Sequence, residues 1–150
     1  MKYNYVYVFL FVFLLMSCDP MGLLLTNGYE QEVRFYAPYY EYNNTIFDIS
    51  DVFEPGKIVD TRRSFRIIEM RIETMDGTVL AEYTPEYLAI LRKTYGIKRN
   101  QLESWVFTEK GLFLKTKEID RRYRTREEEL AYYRSDEAVR DLQAMLEAVE

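Results

Sequence analysis

The alternation of apolar and polar residues along the chain predicts a fold built mainly from β-strands. The clearest strand is Phe65–Thr74, where apolar residues alternate with Glu and Arg. Its adjacent pair Ile67 and Ile68 breaks the alternation and indicates a β-bulge or a passage from one sheet environment to another. An Asp-Gly pair at positions 76–77 is typical of a tight hairpin turn. It predicts an antiparallel hairpin between this strand and a second one at Thr78–Tyr83.

Shorter apolar runs predict further strands, separated by turn residues. Pro38 is expected to end the strand that begins at Glu32. The stretch Tyr39–Asp51 is interpreted as a loop that holds one short strand at Thr45–Ile49. The remaining strands and extended pieces are predicted at Gly22–Thr26, Glu32–Ala37, Ile58–Val59, Ser104–Thr108 and Leu112–Lys117.

Two parts of the chain carry helical signals. Thr84 and Pro85 suit the cap and the first position of a short helix, and Gly96 suits its end. In the tail, Thr125 and Glu128 have the spacing of a capping box. A Ser-Asp-Glu run at 135–137 then restarts or extends the helix.

Several short strands, one helix among them and a helical tail predict a mainly β, α+β fold. We expect a small antiparallel β-sandwich or partial barrel with one short inserted helix and a C-terminal helical segment. The strand connections look like hairpins rather than helical crossovers, so a parallel doubly wound sheet is not expected. Residues 23–150 would form a single globular domain with a helical C-terminus at 125–150.

The first 17 residues have the composition of a secretory signal peptide. Lys2 supplies one positive charge, and Val6–Met16 is a short apolar run. A helix that spans a membrane needs about 20 apolar residues, and Asp19-Pro20 ends this run with a charge and a helix breaker. A signal peptide at 1–17, removed after export, therefore fits better than a transmembrane anchor.

Cys18 is the only cysteine in the chain and directly follows the apolar run. The residues Leu15-Met16-Ser17-Cys18 resemble the lipobox of bacterial lipoproteins. The resemblance implies that the Cys18 thiol receives a diacylglyceryl group and that cleavage between Ser17 and Cys18 leaves Cys18 as the first residue. Residues 18–22 would be a lipidated tether, and two acyl chains suffice for stable membrane anchoring.

The same resemblance implies a place in the bacterial cell envelope, on a membrane and facing away from the cytosol. Whether that membrane is the inner or the outer one is open. The alternative is an ordinary secretory signal that an incidental cysteine follows.

Composition excludes several kinds of function. Lys2 is the only charged residue of the signal peptide, so its removal changes the formal net charge from −5 to −6, and nucleic-acid binding is not expected. The chain has no histidine, which excludes His-based catalysis and His metal ligands. No phosphate-binding loop, dinucleotide fingerprint or nucleophile elbow is present. We therefore expect no enzymatic activity, no cofactor and no metal.

A tyrosine-rich stretch is the first candidate for binding. A tyrosine presents a flat apolar face and a hydroxyl at low entropic cost, which suits glycan and protein surfaces. The alternative is that these side chains only cover the core. The candidate residues are Tyr36, Tyr39, Tyr40, Tyr42 and Asn44, of which the last four would lie on one loop.

Four arginines in the tail are the second candidate. They could hold anionic lipid headgroups near a membrane, or they could be neutralised locally by the glutamates at 127–129. Local neutralisation is the favoured interpretation. The residues are Arg121, Arg122, Arg124 and Arg126.

A narrow apolar stripe along the tail helix is the third candidate. It could pack on the domain's own sheet, which is favoured, or it could pair with a partner protein. The stripe consists of Val139, Leu142, Leu146 and Val149.

The sequence favours a non-catalytic lipoprotein that Cys18 anchors to the membrane and that supports or binds an envelope protein assembly. The alternative is a glycan- or peptide-binding module that uses the tyrosine loop. The oligomeric state is open.

Overall fold

The computed structural model describes residues 23–40, 46–61, 66–98 and 101–149. Within these ranges the chain forms nine strands and four helices. The strands are β1 (Leu23–Asn27), β2 (Val33–Tyr40), β3 (Ile46–Phe53), β4 (Ile58–Thr61), β5 (Arg66–Ile67), β6 (Met70–Thr74), β7 (Val79–Tyr83), β8 (Glu103–Thr108) and β9 (Gly111–Leu114). The helices are α1 (Pro85–Thr94), α2 (Lys117–Arg122), α3 (Arg126–Tyr133) and α4 (Asp136–Glu147).

The strands belong to two sheets. The first sheet has the order β4-β1-β8-β9, and the second has the order β3-β2-β6-β7 with β5 also paired to β2. Three hairpins join neighbours in sequence: β2–β3, β6–β7 and β8–β9. The β6–β7 hairpin is the one that the Asp76-Gly77 turn predicts. At the centre of the first sheet, β1 pairs with β8 in parallel, with Leu25 opposite Trp105. This pair differs from the expectation that the strands are connected only by hairpins.

The two sheets enclose the main core. Leu25 and Trp105 of the first sheet meet Phe35 and Ile72 of the second, and all four side chains are buried. Helix α1 adds Leu88 and closes one side of this core. The predicted α+β sandwich is therefore confirmed.

A second core covers the outer face of the first sheet. Val106 and Phe113 point away from the main core and pack against side chains of α2, α3 and α4. The helical contributors are Ile119, Tyr132, Tyr133 and Ala138. The molecule thus has three layers, in which the first sheet lies between the second sheet and the C-terminal helices.

Pro38 does not end its strand, and the expectation that it would is wrong. It lies inside β2, opposite Asp48 of β3. On its other side, β2 pairs with β6 up to Tyr36 and with β5 from Tyr39 onwards. Because Pro38 lies where the partner changes, its missing N–H costs little, and its carbonyl oxygen still accepts from the Ile68 N–H at 3.0 Å.

The interruption predicted at Ile67 and Ile68 is confirmed. The expected strand Phe65–Thr74 is divided into β5 and β6, and Ile68 lies between them outside either strand. Both pieces pair with β2.

The helix signals at 84–96 and 125–128 are confirmed by cap geometry. The Thr84 hydroxyl accepts from the Tyr87 N–H at 3.3 Å. Thr125 and Glu128 form the reciprocal capping box. One helix was not predicted: the strand expected to run to Lys117 ends at Leu114, because Thr116 caps α2 by accepting from the Ile119 N–H.

Asn27 ties the two sheets together. Its buried side-chain amide donates to the carbonyl oxygens of Phe53 and Gln31, both at 2.9 Å. Gly28 follows, and its N–H donates to the Phe107 carbonyl oxygen at 2.7 Å. A Cβ at Gly28 would lie 2.8 Å from that oxygen, so the close approach requires glycine.

Arg92 of α1 and Glu103 of β8 form an ion pair inside the main core. The Arg92 Nε and Nη2 atoms donate to the two Glu103 carboxylate oxygens at 2.8 and 2.9 Å. Arg92 Nη2 also donates to the Ile67 carbonyl oxygen, and the Trp105 indole N–H donates to Glu103. Since both carboxylate oxygens accept hydrogen bonds, the pair satisfies the requirement for burying charge.

Candidate functional site

The C-terminal helices cover only part of the first sheet. Towards β4, the outer face of the sheet opens into a cleft of about 1060 Å³, which we call the cap cleft. Leu24 and Thr26 of β1 and Ser104 of β8 line its floor. Residues of α2, α3 and the segments that lead into them form the opposite wall. A cleft of this size is comparable to the sites in which proteins bind ligands.

Apolar side chains at the cap cleft are unusually exposed. Leu102 has 53% of its surface accessible and Ile58 has 43%. Both line the cleft, together with the half-buried Leu130 and Ile97. Grouped exposed apolar residues with polar neighbours are typical of surfaces that contact a partner.

Lys115 fixes the wall of the cleft. Its Nζ lies 2.7 Å from Asp120 of α2 and 2.8 Å from Glu129 of α3. Burial opposes the charge of Lys115, but the hydrogen bonds and charges of the two carboxylates outweigh it and raise its pKa. One ammonium group thus connects the end of β9 to two helices.

The rim of the cleft is basic. Lys117, Arg124 and Arg126 are exposed and line it. Among the described lining residues there are four basic and two acidic side chains, whereas the whole chain has a net charge of −5. The cleft therefore favours a ligand of negative charge.

Two tyrosines lie next to the cleft, of which Tyr95 is half-buried and Tyr133 is buried. Tyr95 lines it, and burial raises the pKa of Tyr95 to about 12. Behind the wall, the hydroxyl of Tyr133 is buried and has no hydrogen-bond partner among the described residues. Burial, followed by the nearby charge of Glu129, raises the pKa of Tyr133. Both groups stay neutral at ordinary pH.

The tyrosine loop is not found as predicted. Tyr39 and Tyr40 belong to β2, opposite Phe47 and Ile46, and not to a loop, because the β2–β3 hairpin continues past Pro38. Tyr42 and Asn44 lie outside the described residues.

Tyr36 also lies in β2, half-buried on the outer face of the second sheet. The guanidinium carbon of Arg71 is 4.8 Å from the centre of its ring. Because Arg71 already covers one face of the ring, Tyr36 is a poor platform for stacking a sugar. It is also on the opposite side of the molecule from the cap cleft.

The arginine cluster is divided between two environments. Arg122 pairs with Glu118 at 4.0 Å and with Glu137 at 3.6 Å. Local neutralisation therefore occurs, but with partners other than the glutamates at 127–129 that the spacing suggested. Arg124 and Arg126 instead line the cap cleft.

The four residues of the apolar stripe are all half-buried. Leu142 packs against both cores, and Val139 packs against the second one. The first half of the stripe therefore packs against the domain's own cores. Leu146 and Val149 form the second half of the stripe.

Ser17 and Cys18 lie outside the described residues. No helix within the described ranges is long and apolar enough to cross a membrane. Nor do any three Cys, Asp or Glu side chains in the described part of the chain lie close enough together to hold a metal ion.

Comparison of the chain with protein-family models, with curated proteins and with solved structures finds no match.

The sequence pattern missed both the cap cleft and the buried Arg92–Glu103 pair. The cleft depends on which strands become neighbours, and no local pattern gives that information. A partial signal existed in the arginine cluster, since two of its members line the cleft.

Proposed function

We propose that this protein is an exported bacterial lipoprotein without catalytic activity, whose domain binds a protein of the cell envelope. Lipid on Cys18 anchors it to a membrane, and the domain faces away from the cytosol. The lipobox resemblance at Leu15–Cys18 supports the anchor, and the cap cleft supports the binding role.

The cap cleft is the observation that carries the proposal. It combines an open volume of about 1060 Å³, exposed apolar side chains and a basic rim. Leu24 and Thr26 of β1 form part of its floor, and β1 begins at Leu23, shortly after Cys18. A lipid on Cys18 would therefore keep the cleft close to the membrane surface, where an envelope partner is available.

The charged groups around the cleft favour binding over catalysis. The carboxylates of Asp120 and Glu129 are both paired with Lys115, which holds them in position. Glu103 is buried and fully paired with Arg92 and Trp105. A catalytic acid or base instead needs a proton that it can exchange with a substrate.

The test is in-cell crosslinking of the full, lipidated chain with a C-terminal tag, followed by purification and mass spectrometry. The matched control is Cys18→Ala, which cannot receive lipid. We expect the wild-type chain to fractionate with membranes and to capture one envelope protein in stoichiometric amount. Cys18→Ala should lose lipid labelling, leave the membrane fraction and capture much less partner.

Two results would contradict the proposal. If Cys18→Ala remains on membranes like the wild type, the anchor is wrong. If no protein is enriched by the wild-type chain, the binding role is wrong.

A further inference from the structure

We infer that the cap cleft binds an acidic peptide segment that carries apolar side chains and belongs to the envelope partner. This inference rests on the proposed binding function and names the chemistry of the ligand. It follows from the charge, the exposed apolar surface and the floor of the cleft.

The charge of the cleft differs in sign from that of the protein. Lys117 is the first residue of α2 and Arg126 is the first residue of α3, and both side chains are exposed at the rim. Asp120 and Glu129, the acidic lining residues, are already engaged by Lys115. The charges at the rim therefore complement carboxylates of a ligand.

The cleft has exposed apolar side chains that a bound ligand would bury. Leu102 is the most exposed large apolar side chain in the described part of the chain, at 53%, and Ile58 is 43% exposed. Ile58 begins β4 and Leu102 directly precedes β8, so both belong to the sheet side of the cleft. Apolar side chains of a bound segment would remove them from water, while acidic neighbours reach the rim.

The floor favours a peptide over an acyl chain. Thr26 and Ser104 place hydroxyl groups on it, and Gln101 lies at its edge. A lipid chain gains most from a dry, enclosed and apolar cavity. A peptide backbone instead needs polar partners such as these hydroxyls.

The walls are held in place before a ligand arrives. Lys115 joins β9 to α2 and α3, and the Arg134 Nε donates to the Gly28 carbonyl oxygen at 2.6 Å. A preformed site loses less conformational entropy on binding.

The first experiment places a photo-crosslinking amino acid at position 102 of the full, lipidated chain in cells. Position 90 is the matched control, because Ile90 is 50% exposed and does not line the cleft. We expect a protein adduct at position 102 and little at position 90. The crosslinked stretch, identified by mass spectrometry, should carry net negative charge and apolar residues.

Three results would overturn the inference. They are equal adducts at the two positions, an adduct at position 102 that is phospholipid, and a crosslinked stretch that is basic. If the tagged chain captures an envelope protein but position 102 gives no adduct above position 90, this inference fails while the proposed function stands. If no partner is captured at all, the proposed function itself fails.

A second experiment uses fluorescence anisotropy to measure how tightly the protein binds a fluorescent peptide that consists of Glu, Leu and Ser. The variant is Lys117→Glu with Arg126→Glu; both positions begin helices, where a carboxylate is compatible with the helix dipole and folding should persist. Lys93→Glu with Arg140→Glu is the control, since both residues are exposed, lie off the cleft and change the net charge equally.

We expect the cleft variant to bind the acidic peptide about tenfold more weakly than the wild type, because two attractions become repulsions. The control should bind like the wild type, and the same peptide with Lys in place of Glu should not bind. Equal affinity of both variants would overturn the inference. So would a wild-type chain that does not bind the acidic peptide.

Discussion

Tyr132 and Tyr133 are adjacent in α3, but their hydroxyl groups have opposite environments. The Tyr132 hydroxyl donates to the Asp141 carboxylate at 2.8 Å. The Tyr133 hydroxyl is buried and has no hydrogen-bond partner in the described part of the chain. A buried polar group without a partner retains its desolvation cost, whereas a paired one recovers it.

We therefore expect the two Tyr→Phe substitutions to have opposite effects on the free energy of unfolding, measured by urea denaturation. Tyr133→Phe should be neutral or stabilising by up to about 1 kcal/mol, and Tyr132→Phe should destabilise by about 1 kcal/mol. Marked destabilisation by Tyr133→Phe would show that its hydroxyl has a partner after all.

The Arg92–Glu103 pair allows a second prediction at the scale of residues. Arg92→Met would leave a buried carboxylate without its cation and should cost about 3–5 kcal/mol in stability. Lys110→Met is the control: Lys110 pairs with Asp136 at 2.7 Å, and both side chains are exposed to water. We expect that change to cost far less than Arg92→Met, because an exposed ion pair contributes little to stability. Similar losses in the two variants, measured by thermal denaturation, would contradict the assigned role of the buried pair.

Individual helices and strands show which signals are local. The caps of α1 and α3 were predictable because a cap needs only a hydroxyl and a backbone N–H a few residues apart. Helix α2 was missed because the predicted strand extended to Lys117, whereas the Thr116 cap already begins the helix there. Pro38 was misjudged because its cost depends on the partner strands rather than on its own neighbours.

Helix α4 carries a prediction at the scale of elements. Leu142 is the stripe residue that contacts both cores, and it is half-buried. Leu142→Ala should therefore lower the free energy of unfolding by about 1–2 kcal/mol, less than for a fully buried leucine. Gln143→Ala, at an exposed position of the same helix, should have little effect. If Leu142→Ala leaves urea denaturation unchanged but weakens partner capture, the stripe is instead an interface for a partner.

At the scale of the whole molecule, we expect stability to depend on pH through four tyrosines that are buried or half-buried. Burial raises the pKa of Tyr83, Tyr95, Tyr132 and Tyr133 in the folded state. In the unfolded chain a tyrosine titrates near its usual value of about 10. The stabilisation is therefore complete below about pH 10 and is lost as the pH rises towards the folded-state values.

Between about pH 8 and about pH 11, we expect the free energy of unfolding to fall by up to about 1.4 kcal/mol for each tyrosine that stays neutral when folded. Urea denaturation at the two pH values measures this fall, and ultraviolet absorption of tyrosinate reports ionisation. Tyr133→Phe should lose less stability than the wild type over the same interval. An equal loss would show that Tyr133 does not contribute.

At the scale of the whole chain, the candidate site was only partly accessible from the sequence. The arginine cluster drew attention to Arg124 and Arg126, which line the cap cleft. The exposure of Ile58 and Leu102 could not be predicted from the sequence, because an apolar residue in a short strand or loop is normally buried. They form one surface only because β4 and β8 both flank β1.

The sequence by itself determined what depends on neighbouring residues: the apolar alternation of the strands, the hairpin at Asp76-Gly77, two helix caps and the α+β class. The tertiary structure decided the parallel pairing of β1 with β8 and the cleft that the helices leave open. Those features arise from contacts between residues far apart in the chain. They form because each sheet must bury one face, and the sequence pattern specifies that face but not its partner.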